Sequence, residues 1–301
     1  MATESKHHNV DVFTQILISG FVLGAVYALS AAGMTIVFGV SGVLNLAHGG
    51  IVTIAAMVAW YIATHLNCGI LVGGLSGVAS AVVVSYLLYV LVIIPLGQSR
   101  HITKEELPVF QLVATLLVAL ILHGILGFFF GSTPVATPPV IHGVIHVSGN
   151  AVPKNNLFIG AVAWLVLVGL KLFISFTQLG KAMTAASMSP KGLAIVGYSM
   201  RRVYFVVWGL YGLLAGVAGV LLSSFMGAST GAALNLTAIA FIIVVLGGLG
   251  SVLGSLVGAY ILGFLSTITA YLISPALSVL PGLFLLVVVL YVRPKGLFGT
   301  H

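Results

Sequence analysis

Charge is nearly missing from this chain, and it is missing in long blocks. Eleven Lys and Arg and four Asp and Glu are spread over 301 residues, 5% of the whole, against 60% hydrophobic residues. A soluble domain carries about 25% charged residues, so this chain cannot solvate a water-facing surface. That excludes a soluble enzyme and a disordered protein. With no basic stripe and no interleaved aromatic platform, it also excludes a nucleic-acid binder. What remains is an integral membrane protein. The apolar runs are long and continuous, unlike the alternating segments of about ten residues in a membrane barrel, so the spans are helices.

A helix needs about 20 residues to cross a hydrocarbon core of about 30 Å. The runs predict nine spans, at 12–32, 42–64, 69–94, 108–130, 157–177, 203–225, 236–250, 252–273 and 280–292, with eight and ten crossings as the bounds. The fold class is therefore all-α: a polytopic transmembrane helix bundle forming one domain over 1–301. Met1 to Val10 is polar and carries both signs, a poor signal-peptide start. The apolar run after it reads as a retained first span. Cys68 is the single cysteine, so no intramolecular disulfide forms, and no Cys/His spacing suits a metal.

The net charge of +7 reads as membrane orientation. The segments 95–107, 178–202 and 293–301 hold Arg100, Lys104, Lys181, Lys191, Arg201, Arg202, Arg293 and Lys295. The opposite loops hold Lys6 and Lys154, while Lys171 snorkels from within a span. This bias puts the C-terminus in the cytoplasm and, with nine crossings, the N-terminus outside. The outer loop, 131–156, is rich in turn formers: Pro134, Pro138, Pro139, Gly143, Gly149 and Pro153. No hydrophilic domain and no Walker A pattern appear, so nothing here binds ATP.

Glycines recur four residues apart at Gly20/Gly24, Gly73/Gly77, Gly212/Gly216 and Gly250/Gly254/Gly258. That spacing gives a smooth helix face against which a neighbouring backbone packs closely. Two stretches interrupt apolar helices. Phe38 to Gly50 places Asn45 and His48 among four glycines. It is either a broken helix of the kind that marks a transport pathway or a cytoplasmic turn in which Asn45 and His48 cap a helix. Val245 to Gly254 is either a re-entrant pair of half-helices or a simple turn. All four acids, Glu4, Asp11, Glu105 and Glu106, fall in loops. That argues against a proton- or sodium-driven transporter, which usually needs intramembrane acids or unwound carbonyl sites.

Gly39-Val40-Ser41-Gly42 also matches the short G-x-S-G pattern of rhomboid proteases, with His123 inside an apolar span as the base. This alternative requires Ser41 and His123 to meet within hydrogen-bond reach. In the segment 178–202, Ala182, Ala185 and Ala186 share a helix face, Pro190 opens a second short helix and Gly197 ends it. A helix–turn–helix exposed there makes a knob for a partner's groove; the alternative is an ordinary solvated loop.

This segment resembles the cytoplasmic coupling loop of permease subunits in branched-chain amino acid ABC importers, through Gly180, Lys181, Ala182, Ala185, Ala194 and Gly197. Further blocks agree in the same order: Gly24 to Leu29, Gly33 to Gly39, Asn45-Leu46-Ala47-His48-Gly49, Leu246 to Ser251 with Gly254 and Gly258, and Arg293 to Gly299. The chain departs from the family pattern at Thr184, Ser187–Ser189, Gly50 and Tyr89–Ile94. The resemblance implies a type II-like, ATP-driven importer permease in a bacterial inner membrane. It implies a second permease, two cytoplasmic ATPases docked on the coupling loops, including Pro190, and an extracytoplasmic solute-binding protein. The cargo would be branched-chain amino acids or related small polar solutes, moved by alternating access. This chain would perform no covalent chemistry and bind no cofactor.

Along the pathway, a zwitterion needs hydrogen bonds and no fixed counter-charge. Thr35, Asn45, His48, Gly49, Gly247, Gly248 and Ser251 are the candidates, with Gly250, Gly254 and Gly258 for packing. A stand-alone channel or facilitator is the remaining alternative.

Overall fold

The computed structural model describes residues 2–147, 150–195 and 197–299; Gly149 and the last two residues of 293–301 lie outside these ranges. The elements run in the order α1 (Ala2–Ser41), α2 (His48–Thr64), α3 (Ile70–Leu88), α4 (Ile94–Gln98), α5 (Leu107–Phe130), β1 (Val144–Val147), β2 (Asn150–Pro153) and α6 (Lys154–Phe176). They continue with α7 (Gln178–Met188), α8 (Pro190–Ile195), α9 (Met200–Phe225), α10 (Ala233–Gly247), α11 (Val252–Leu272) and α12 (Leu280–Val292). Among the described residues, eight helical segments are long and apolar enough to cross a membrane, and α2 is a shorter apolar helix of 17 residues. These nine coincide with the nine predicted segments.

Burial sorts them into a centre and a rim. The most apolar window of α1 is 83% buried, that of the last span only 11%. α1 is thus the central post, packed on α11, α9, α6 and α10, and α2 completes the core against α3 and α9. α5, α6 and α12 present long apolar side chains such as Phe128, Leu165 and Phe284 outward. In water that exposure would be a liability; in hydrocarbon it is the solvated face.

The boundaries correct the sequence reading in three places. α1 does not end near residue 32 but continues to Ser41, so Phe38 to Ser41 is helical. Its glycines are tolerated because neighbours pack on them. Non-helical backbone is confined to residues 42–47, and the second helix starts at His48 rather than 42. The turn after α10 begins at Gly248, inside the predicted seventh span. A short hairpin was also missed: β1 pairs antiparallel with β2, with Val144 opposite Pro153 and Val147 opposite Asn150.

Pro95 explains a further irregularity. Proline lacks an N–H and its ring clashes with the carbonyl four residues earlier. The chain answers with a π turn at Tyr89–Ile93 between α3 and α4.

The glycine faces are backbone-to-backbone contacts. A Cβ on Gly263 would lie 2.7 Å from the Cα of Gly24, and one on Gly212 2.7 Å from the Cα of Val82. Gly216 faces Val78, Gly73 and Gly77 face the carbonyls of Ala59 and Ala55, and Gly254 faces the Gly247 carbonyl. Gly20 and Gly24 lie under the rings of Phe264 and Tyr260. Gly250 stands outside α11, in the turn, so it does not extend the Gly254/Gly258 stripe.

Replacing Gly254 by Leu should lower the yield and thermal midpoint of the purified chain, because overpacking against fixed backbone costs about 1–3 kcal/mol or more. Gly124→Leu, at a glycine with no neighbour within 4 Å, should leave both unchanged. Equal behaviour of the two variants would contradict the packing described.

Candidate functional site: a buried polar turn at mid-membrane

Gly42 ends α1 in the left-handed region, φ +72°, with its N–H donated to the Phe38 carbonyl at 2.8 Å. Only glycine takes this conformation at little cost. From there residues 43–47 run back into the bundle, and α2 starts well inside it. Four partners give the depth. At about 1.5 Å per residue, Ser30 stands about 17 Å up α1 from Ser41. Tyr211 stands about 17 Å up α9 from Met200, Thr115 about 12 Å up α5 from Leu107, and Thr237 about 15 Å from Gly247 on α10. All four touch the segment 44–49, so it lies roughly halfway across a core of about 30 Å.

Each partner satisfies one part of the turn. Asn45 Nδ2 donates to the Tyr211 hydroxyl at 2.8 Å, and Asn45 Oδ1 accepts from the Ala47 N–H at 3.0 Å. His48 Nδ1 lies 3.1 Å from the same hydroxyl and Nε2 lies 2.7 Å from Ser30 Oγ. Because Asn45 donates into the hydroxyl oxygen, the hydroxyl proton is free for Nδ1. The Nε2–H then donates to Ser30, and the chain closes without a charge. Thr115 Oγ1 accepts from the Leu46 N–H at 3.2 Å and Thr237 Oγ1 accepts from the Gly49 N–H at 2.9 Å. Asn45, His48, Thr115 and Tyr211 are all 0% exposed. Gly49 has no room for a side chain, since a Cβ there would overlap the Ala233 carbonyl.

The other sequence candidates lie elsewhere. Thr35 pairs its hydroxyl with Ser255 at 2.5 Å, joining α1 to α11. Gly247, Gly248 and Ser251 form a simple turn: Ser251 caps α11 by accepting from the Gly254 N–H at 3.1 Å. Gly248 and Gly250 carry positive φ of 100° and 87°. The C-terminal segment laces this turn shut, Leu297 N–H to the Leu246 carbonyl at 2.9 Å and Phe298 N–H to that of Gly247 at 3.0 Å. The seven proposed pathway residues are therefore two separate groups.

At the same end, α7 and α8 form a helix–turn–helix. Thr177 caps α7 by accepting from the Gly180 N–H at 3.0 Å, and Ser189 accepts from the Gly192 N–H at 3.0 Å at the head of α8. Pro190 opens α8, and the Gly197 N–H closes on the Ala194 carbonyl at 3.0 Å. Gly180 sits against the Ile174 backbone at the α6–α7 corner, and Ala182 is buried. Lys181, Ala185, Pro190, Ala194 and Gly197 are exposed. A shallow groove of about 480 Å³ between the two helices is lined by Lys181, Ala185, Met188 and Tyr198.

The protease dyad does not form. Ser41 donates to the Val37 carbonyl at 2.6 Å and shares a cavity with Leu107 and Gln111 at the start of α5. His123 lies about 18 Å farther along α5 than Gln111.

A family model described as "Branched-chain amino acid transport system / permease component" matches residues 16–290. The chain belongs to this family. The high-affinity branched-chain amino acid transport system permease protein LivH of Escherichia coli (strain K12) is 29% identical, over 95% of this chain and 96% of that one. BraD of Pseudomonas aeruginosa, of the same description, is 28% identical over 95% and 96%. The ribose import permease protein RbsC of Escherichia coli (strain K12) is 28% identical over 80% of this chain and 74% of its own.

In this permease the sequence reading found Asn45 and His48 but missed their partners, Ser30, Thr115, Tyr211, Thr237 and, for Thr35, Ser255. A usable signal existed. Ser30, Thr115, Tyr211 and Thr237 are hydroxyls well inside their apolar spans, where an unpaired polar group is costly; Ser255, at the start of α11, carries no such signal.

Tyr211→Phe should lower the thermal midpoint of the detergent-solubilised permease, by about 1–3 kcal/mol in stability, because buried polar groups lose their partner. Ser41→Ala, which removes only a bond to its own helix, should change little. Identical midpoints for Tyr211→Phe and wild type would contradict the network.

Proposed function

We propose that this permease is a membrane subunit of an ATP-driven importer that brings branched-chain amino acids or related small polar solutes into the cytoplasm by alternating access. It works with a second permease, two cytoplasmic ATPases and an extracytoplasmic solute-binding protein, and binds no cofactor itself. The observation that carries this reading is the exposed α7–α8 knob at the end where most of the Lys and Arg gather. α7 touches α1 through Met183 and Thr184, which share a cavity with Thr35 and Gly39. A push on the knob therefore reaches the central post directly.

The same charge distribution orients the chain, with the C-terminus in the cytoplasm and the N-terminus outside. The relatives' printed names support the cargo class. The interior supports a pathway shared with the second permease. Beside Ser30 at mid-depth the cavity has room for only about 10 Å³, in keeping with a pathway that runs beside this chain rather than through that point. We infer that Asn45, His48 and Gly49 fix the wall of that pathway, and that Thr35, Gly247, Gly248 and Ser251 set the hinge beneath it.

Mild-detergent purification should recover two ATPases and a second permease with this chain; recovery of the chain alone, where other such complexes survive, would overturn the reading. Ala185→Arg should leave the bundle folded and abolish ATP-driven uptake in proteoliposomes of the complex. Unchanged uptake and ATPase activity would remove Ala185 from the docking surface.

A further inference from the structure

Between the π turn, α5 and the start of α9 lies a cavity of about 530 Å³ that none of the function above uses. This is within the usual range for a small-ligand site. Its walls are apolar along Ile93, Ile94 and Met200. Tyr89 and Trp208 stack at 5.6 Å on one side.

Two polar side chains there have no partner among the described residues. Gln111 is 7% exposed, lines the cavity and makes no side-chain hydrogen bond among the described residues. Arg201 stands at the rim, close enough to the Tyr89 hydroxyl to interact electrostatically, and has no ion pair among the described residues. The Gln111 amide and the Arg201 guanidinium line one cavity, both without a protein partner among the described residues, and together they suit an anion with several acceptor oxygens.

The surroundings favour the same chemistry. The 99–106 loop, which joins Gln98 and Leu107 of the lining, carries Arg100 and Lys104, and Arg202 follows Arg201 in the sequence. The same loop carries Glu105 and Glu106, and the Glu106 carboxylate is held locally by the Thr103 N–H and hydroxyl at 3.0 and 2.8 Å. Those bonds keep the Glu106 carboxyl ionised below its usual range, and neither acid pairs with Arg201.

We propose that this cavity binds the phosphate head group of an anionic membrane phospholipid, with Arg201 and Gln111 on the head and the start of an acyl chain along Ile93, Ile94 and Met200. A free phosphate would meet the guanidinium but leave the apolar wall empty. α5, which contributes Leu107 and Gln111 to the lining, carries exposed Val109, Phe110 and Val113, an apolar face along which an acyl chain continues into the bilayer. The site is independent of which solute the permease moves.

The test titrates dioctanoyl phosphatidylglycerol into the full chain, purified in mild detergent with its accompanying subunits, and reads the thermal midpoint. Phosphatidylglycerol should raise the midpoint, while dioctanoyl phosphatidylcholine and inorganic phosphate at equal concentration should not. Arg201→Gln should weaken the apparent affinity about fivefold or more, the weight of one basic residue at an anionic surface; Arg201→Lys should retain most of it, and Arg293→Gln all of it. Should Arg201→Gln lower the lipid-free midpoint, Gln111→Leu carries the test with the same expected weakening. Equal protection by phosphatidylcholine, equal protection by inorganic phosphate, or an unchanged affinity in both cavity variants would each overturn the proposal.

Discussion

An irregular stretch of backbone at the middle of a membrane must have every polar group satisfied from within the protein. That constraint organises the molecule. Residues 43–47 turn back into the bundle, and hydrocarbon offers their N–H and carbonyl groups nothing. The partners come from four helices: Ser30 from α1, Thr115 from α5, Tyr211 from α9 and Thr237 from α10. Each partner fixes the depth and rotation of its own helix against the turn. The glycine faces then follow as a second requirement, since helices so fixed must approach to backbone contact at Gly24/Gly263 and at Gly212.

The arrangement separates a hydrogen-bonded half from a half built of corners. Around the turn, side chains are buried and mutually bonded. Toward the basic end the structure is a set of corners: the Gly180 corner between α6 and α7, the laced turn at Gly248–Ser251, and the knob of α7 and α8. The Thr35–Ser255 pair joins the two halves across α1 and α11.

Much of this was legible in the sequence. Nine apolar runs mark nine segments because length and hydropathy alone decide what crosses a bilayer. Pro190 and Gly197 bound α8 through local backbone rules. The end of α1 was not legible, because Gly33 and Gly39 look like breakers in isolation and are accommodated only by the packing of Tyr211 and Gly250 on them. The choice between a broken helix and a loop turn at 42–47 also stayed open. Its answer lies in hydroxyls more than sixty residues away, such as Thr115 and Tyr211. The hairpin at 144–153 was hidden in a loop whose prolines advertise turns but not pairing.

The central claim is that the segment after α1 is an internal, hydrogen-bonded turn rather than a loop in water. Hydrogen–deuterium exchange of the permease in a lipid nanodisc tests it most directly. The amides of Leu46, Ala47 and Gly49, bonded to Thr115, Asn45 and Thr237, should exchange as slowly as those in the middle of α9. Exchange as fast as in the 99–105 loop would contradict the account.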